Sequence, residues 1–380
     1  MMLGPSSRIV LRRWQSGAVG AVVEEAQPRE ALPYSALPKA AGAWPVIGHL
    51  PFLLREDTQK RMHVAFEELR KESGDIFRLR IPGQGDLVAL FRPEDIQTMH
   101  TNESQTPFSP GFEMFDQLRA HDLKDRYKSE GLLVNNDDWY KVRHLVQQDM
   151  MRPKSALYYT KSLDSIAEEL ADRIAAEKGD SGTDIRDIHP LVQAFALESI
   201  GCIFMGTRLG AIKGQGDGKR LMELSEETLV LMQKLFFLPT GLQTYHPAWK
   251  KLVRVSAESF DLCKKHVDAA MDKVTDTDDS MIAKLVRACG RESGIALTMS
   301  IDSIMAGIDT TGSSGTSLLY HLADNPEKQE KLHEEICSVL GPRGEVTEAA
   351  LGKMRYLKAC QTESQRMANA SFATSRRLQV

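Results

Sequence analysis

Three groups of residues in this sequence have the types and spacing to do chemistry. In Trp139-Tyr140-Lys141-Val142-Arg143 the i, i+4 spacing puts an indole and a guanidinium on one helix face. A planar cation beside an aromatic grips a buried carboxylate through charge-assisted hydrogen bonds. The bland alternative is a surface Arg stacked on a core Trp. Ala306-Gly307-Ile308-Asp309-Thr310-Thr311 lies within a long helical pattern. Gly and two Thr are poor choices there, and a mid-helix acid needs water or a partner. Small residues leave room for a flat cofactor or an oxygen ligand, and an Asp–Thr pair at a helix irregularity relays protons through water. Irregularity from packing alone is the competing reading. Glu363-Ser364-Gln365-Arg366 sets an ion pair at i, i+3. Glu67 and Arg70 repeat that spacing and read as a solvated helix pair.

The elements that must position these groups are mostly helices. Met62, Phe66 and Leu69 mark one buried stripe on a helix over 57–72. Phe77, Leu79 and Ile81 alternate with Arg78 and Arg80, the pattern of a half-buried strand, with a turn at 82–85 and a second strand over 87–91. A short helix is expected from Pro93, then a long loop with a short helix over 103–131, where Phe108, Phe112 and Phe115 are candidate pocket residues. Beyond it the periodicity predicts helices at 137–151, 155–178, 188–206, 219–236, 247–274, 278–289, 292–323, 326–340 and 355–367. The fold class is mainly α with a small β subdomain.

Composition narrows the classes. With 42% hydrophobic and 26% charged residues the 380-residue chain is globular rather than disordered. A net charge of −4 gives no pull toward nucleic acid. Cys202, Cys263, Cys289, Cys337 and Cys360 lie far apart, so no disulfide scaffold or zinc motif is expected, no residue is assigned as a metal ligand, and a reducing compartment is favoured. Arg8, Arg12 and Arg13 precede the first acid, Glu24, and residues 1–30 read as a mitochondrial presequence. Residues 37–54 are apolar but hold Pro38, Pro45 and Pro51, which makes them a packed or membrane-grazing connector and not a spanning helix.

In this order and spacing, the three groups resemble the cytochrome P450 monooxygenases. The resemblance covers about residues 32–380 and is strongest in 131–157 and 296–367. It implies a cytochrome P450-like fold, incomplete at the C-terminus, for residues 31–380, with haem as the cofactor. By the resemblance, Trp139 and Arg143 meet one haem propionate and Arg376 the other. Ala306 lies by the haem, Asp309 and Thr310 guide protons to bound oxygen, and Glu363 and Arg366 brace the haem-binding core. Trp44-Pro45-Val46-Ile47-Gly48 matches the family's proline-rich opening, and Asn325-Pro326-Glu327 the start of a family helix. Met151-Arg152-Pro153-Lys154, Leu197-Glu198-Ser199-Ile200 and Thr207-Arg208-Leu209-Gly210 resemble the mitochondrial branch. That branch implies electrons from NADPH through a reductase and a small acidic ferredoxin. Lys358 matches one of two basic docking positions, and Thr362 stands at the other. Implied substrates are lipophilic: sterols, steroids, ecdysteroids, vitamin D-like lipids or xenobiotics. The implied location is the matrix side of the mitochondrial inner membrane, with peripheral membrane association.

The departures shape the expectation for activity. Pro38-Lys39-Ala40 replaces P-G-P, and no proline follows E-x-x-R in Met367-Ala368-Asn369-Ala370-Ser371. None of the five Cys has the context F-x-x-G-x-R-x-C-x-G, which carries the iron's axial thiolate in the family. The 380 residues are therefore expected to be an inactive fragment of a haem-thiolate monooxygenase. The alternative is a non-catalytic truncated product that binds ferredoxin or lipid. A helical scaffold with chance motifs is the third reading.

Overall fold

The alternation of Phe77, Leu79 and Ile81 with two arginines does build a strand. In the computed structural model β1 (Ile76–Ile81) pairs antiparallel with β2 (Gly85–Leu90), Ile76 opposite Leu90 and Ile81 opposite Gly85. Phe77 and Leu79 are fully buried, packed against Leu69, Phe66 and Ala40. The structure describes residues 33–380 except positions 84, 130, 136–137, 151–156, 179–184, 186, 279, 342–343, 372 and 378–380. The expected presequence, residues 1–30, and the motif Met151-Arg152-Pro153-Lys154 lie outside the described residues. Two units are separated, Met1–Leu37 and Pro38–Val380. The described part of the first holds one 3-10 turn, Tyr34–Ala36.

The second unit holds both strands and the helices. Before the sheet come α1 (Leu50–Leu53), α2 (Glu56–Lys60) and α3 (Met62–Ser73). The single helix expected over 57–72 is thus two. Arg61, at φ −130° and ψ 45°, leaves the helical region between them, and both Thr58 and Met62 reach the interior. After the sheet come α4 (Pro93–Thr101) and α5 (Glu113–Gln117), which runs into a π-helical turn, Leu118–Asp122. Then follow α6 (Asp138–Met150), α7 (Thr160–Lys178), α8 (His189–Met205), α9 (Gly218–Phe236), α10 (Thr240–Gln243), α11 (Pro247–Met271) and α12 (Met281–Cys289). The long helix is α13 (Ile295–Ala323), followed by α14 (Pro326–Leu340), α15 (Glu348–Lys353) and α16 (Arg355–Met367). Helix α15 escaped the periodicity because six residues are too few to show one. Its start is marked only by the Thr347 hydroxyl, which accepts the Ala350 N–H at 3.2 Å.

The core lies where α8 and α13 run against each other, with α7, α9, α11 and α12 around them. Helix α8 buries Val192, Ala194, Ala196, Leu197 and Phe204, and α13 buries Met299, Ile301, Ile304 and Ile308. Glycines on α13 permit the close approach. A Cβ at Gly307 would stand 3.1 Å from Ile200, one at Gly312 2.8 Å from Gln193, and one at Gly315 2.8 Å from Val192. Gly307 therefore makes room for a neighbouring helix, where the sequence suggested room for a cofactor. The helix is also unbroken from Ile295 to Ala323, so the expected irregularity at 306–311 is not present. No helix among the described residues is long and apolar enough to cross a membrane.

Candidate cofactor and oxygen site

A helix at the centre of a bundle should be covered on every side, yet α13 is not. Ile304, Ile308 and Gly312 are buried, while Ala306, Thr310 and Thr311 are exposed. Ala306 and Thr310 are one turn apart and share a face. The Thr310 hydroxyl donates to the Ala306 carbonyl at 2.7 Å, which leaves its oxygen lone pairs toward the open side.

Asp309 points elsewhere. Its Oδ1 accepts from Gln193 Nε2 at 2.9 Å, and its Oδ2 accepts from the Ser225 hydroxyl. Helices α8 and α9 supply the partners that a mid-helix acid needs. Successive helical residues diverge by about 100°. Asp309 and Thr310 are therefore neighbours in sequence whose side chains serve different faces. Gln193 and Ser225 were not singled out in the sequence. Their separations from Asp309, 116 and 84 residues, leave no local signal.

Trp139 and Arg143 share α6, which packs on α12. Both are half-buried, and Arg143 makes no hydrogen bond or ion pair among the described residues. Arg376 is differently placed. Its Nε donates to Glu103 at 2.8 Å and its Nη1 to the Ser375 carbonyl at 2.8 Å. Arg377 beside it pairs backbone-to-backbone with Phe108 and lays its guanidinium over that ring at 4.1 Å. Residues 375–377 are thus docked on the segment 103–113, and Phe108 serves that docking.

Glu363 and Arg366 pair in two bonds of 2.7 Å each. The pair is 57% and 68% exposed, so the ion pair by itself contributes little to stability. Arg366 holds the Glu363 carboxylate below its ordinary range. Helix α16 is held by Glu335 of α14, which accepts the Tyr356 N–H at 2.8 Å and the Leu357 N–H at 2.9 Å. Those two N–H groups lower the Glu335 pKa. Lys358 is exposed on α16, with Thr362 one turn along the same face. The other copy, Glu67–Arg70, is more than a solvated pair. Arg70 donates to Asp75 at 2.8 Å and lies over the Phe91 ring at 5.1 Å, tying α3 to the sheet.

Known proteins resemble this chain in sequence. A family model described as Cytochrome P450 matches residues 38–379. "Probable cytochrome P450 49a1" of Drosophila melanogaster is 27% identical over 368 residues, 90% of this chain and 60% of that protein. "Cytochrome P450 CYP12A2" of Musca domestica is 31% identical, over 75% of this chain and 56% of that protein. "Cytochrome P450 302a1, mitochondrial" of Drosophila melanogaster is 30% identical, over 89% of this chain and 70% of that protein. This chain is a member of the cytochrome P450 family, in the branch with the mitochondrial relatives. It spans about three fifths of the length of the first two relatives described.

The family's cofactor is haem, and the residues present fit one side of it. The open stripe offers a methyl and a hydroxyl to a flat group, and Arg143 is a half-buried cation whose donors make no hydrogen bond among the described residues. Arg376 would first have to release Glu103 to meet a carboxylate. The thiols do not fit the other side. Burial pushes Cys263 up to about 12 and raises Cys360, which disfavours the thiolate at both. Cys202 and Cys289 are half-buried on α8 and α12, and Cys337 lies exposed on α14 beside His333.

Proposed function

We propose that these residues form the oxygen-side portion of a haem-thiolate monooxygenase. It hydroxylates a lipophilic substrate, a sterol, steroid, ecdysteroid or xenobiotic, with O2. The observation that carries this is the open Ala306–Thr310 stripe on an otherwise buried helix of a chain matched by the family model. A thiolate-held haem supplies oxygen binding and O–O cleavage. Around it, Trp139 and Arg143 hold one propionate by charge-assisted hydrogen bonds. Ala306 keeps the face apolar, and Thr310 holds a proton-passing hydroxyl at the open side. Asp309 keeps a carboxylate in reserve, released toward Thr310 when Gln193 and Ser225 let go.

Electrons reach this protein from an NADPH-dependent reductase through a small acidic ferredoxin, which docks on exposed Lys358. Relatives named as mitochondrial support a mitochondrial site. The exposed side chains Trp44 and Val46, 61% and 82% accessible, suit the matrix face of the inner membrane. By themselves residues 1–380 are inactive in this reading, because no thiol among them is set up to ligate iron.

Reconstitution of the haem-loaded whole protein with ferredoxin and reductase tests the reading. Hydroxylation of at least one lipophilic compound from the classes above is expected. Lys358→Glu should raise the ferredoxin KM about tenfold and leave kcat in place. A fully haem-loaded protein that oxidises none of these classes would contradict the function. A KM indifferent to Lys358→Glu would contradict the docking site.

A further inference from the structure

The segment between α5 and α6 is irregular in sequence, yet it is fastened to the first half of α13. Arg119, on the π-helical turn, is 4% exposed and Asp302 of α13 is 5% exposed. Arg119 Nη1 donates to Asp302 Oδ2 at 3.2 Å, and Nη2 donates to Oδ1. The guanidinium lies 5.2 Å from the Phe115 ring centre and 4.9 Å from that of Tyr127. Asp302 Oδ2 also accepts the Leu132 N–H at 3.3 Å. Gly131 has φ +77°, and a Cβ there would overlap Asp302 Oδ2, so both backbone and space require glycine. The Thr298 hydroxyl donates to the Ser129 carbonyl at 2.9 Å. Further out, Arg126 bonds Asp261 of α11 at 3.0 Å, and Lys128 bonds Glu292 at 3.0 Å.

Two opposed planar groups with several donors and acceptors fix orientation as well as distance. Removing one leaves a buried charge unpaired, so the arrangement resists opening. Its place on α13 matters. Asp302 precedes Ala306 by one turn and Thr310 by two, about 6 and 12 Å along the axis. Asp302 is buried and Ala306 is exposed, so the open stripe begins where the strap ends. π-helical turns inside helices are frequent at functional sites.

We propose that the Arg119–Asp302 pair is a positioning device for substrate. It pins residues 118–129 and 131–132 across α13 as a fixed wall, and that wall sets which lipophilic molecules reach Thr310. The wall's role in substrate choice rests on the proposed function, and the pinning does not.

Besides Arg119 itself, the strap contains Lys124, Arg126 and Lys128, three trypsin sites that all the variants keep. In the haem-loaded protein, Asp302→Asn and Arg119→Gln should each speed cleavage at these sites about tenfold or more, since cleavage follows the open population. Bulky azoles, read by their absorbance shift on binding haem iron, should gain about tenfold in affinity over small ones. The apolar pair Arg119→Met with Asp302→Leu fills the same space without charge, and should be cleaved as slowly as wild type. That double variant decides the matter even where the single variants do not fold. Unchanged cleavage in folded single variants overturns the proposal. So does faster cleavage with an unchanged azole ranking, or a double variant as labile as the single ones. A whole protein that takes up no haem overturns the proposed function instead, and the cleavage comparison still decides the pinning.

Discussion

Thr310→Ala is expected to lower hydroxylated product from the haem-loaded protein about a hundredfold, with haem content and NADPH consumption retained. The reason is the placement of one hydroxyl. Thr310 is exposed on the open stripe, and its hydrogen is already committed to the Ala306 carbonyl at 2.7 Å. The oxygen can therefore accept a proton donor from the cofactor side while the hydrogen bond holds its rotamer. A hundredfold is about 2.7 kcal/mol of transition-state stabilisation, within the range for a positioned proton-transfer group. Thr310→Ser retains a hydroxyl and should recover most of the product. Product per NADPH by chromatography against NADPH loss by absorbance gives the readout. Equal falls in haem content and product would show a packing defect instead.

Glu198→Ala should destabilise the folded chain by about 2–4 kcal/mol, because it leaves the buried N–H groups of Leu209 and Ala211 unpaired, while Arg208, 40% exposed, keeps Glu169. Glu198 is fully buried on α8. Its Oε2 accepts from Arg208 Nε at 2.7 Å and from the Leu209 N–H at 2.9 Å, and its Oε1 accepts the Ala211 N–H. One carboxylate thus gathers the loop between α8 and α9, which turns through Gly210 at φ +77°. Since α8 is also the main partner of α13, loosening it should loosen the candidate site. Urea unfolding of wild type and variant measures the difference. A shift under 1 kcal/mol would show that water replaces these bonds freely.

What could be read from the sequence was local. Helices α14 and α16 begin and end at the residues expected, because Pro326 and Gly341 punctuate the first and a single amphipathic period defines the second. The groups at 139–143, 306–311 and 363–366 were visible because their spacings are helical and their residue types unusual for a helix. The azimuth of each side chain was not legible. Asp309 was grouped with Thr310, but its partners come from α8 and α9. Gly307 is among the small residues read as leaving room for a cofactor, but a Cβ there would meet Ile200. Arg119 and Asp302 lie 183 residues apart, and no local spacing pairs them. Contacts between distant elements depend on how helices cross, and periodicity within one helix does not encode that.

The most direct test concerns sulfur. Residues 1–380, produced with a haem precursor, can be reduced and exposed to carbon monoxide, and the difference spectrum recorded. With burial disfavouring the thiolate at Cys263 and Cys360, and none of the five cysteines in the F-x-x-G-x-R-x-C-x-G context, no thiolate-type Soret band should form. A thiolate-type band, matched by one haem per chain, would contradict the account.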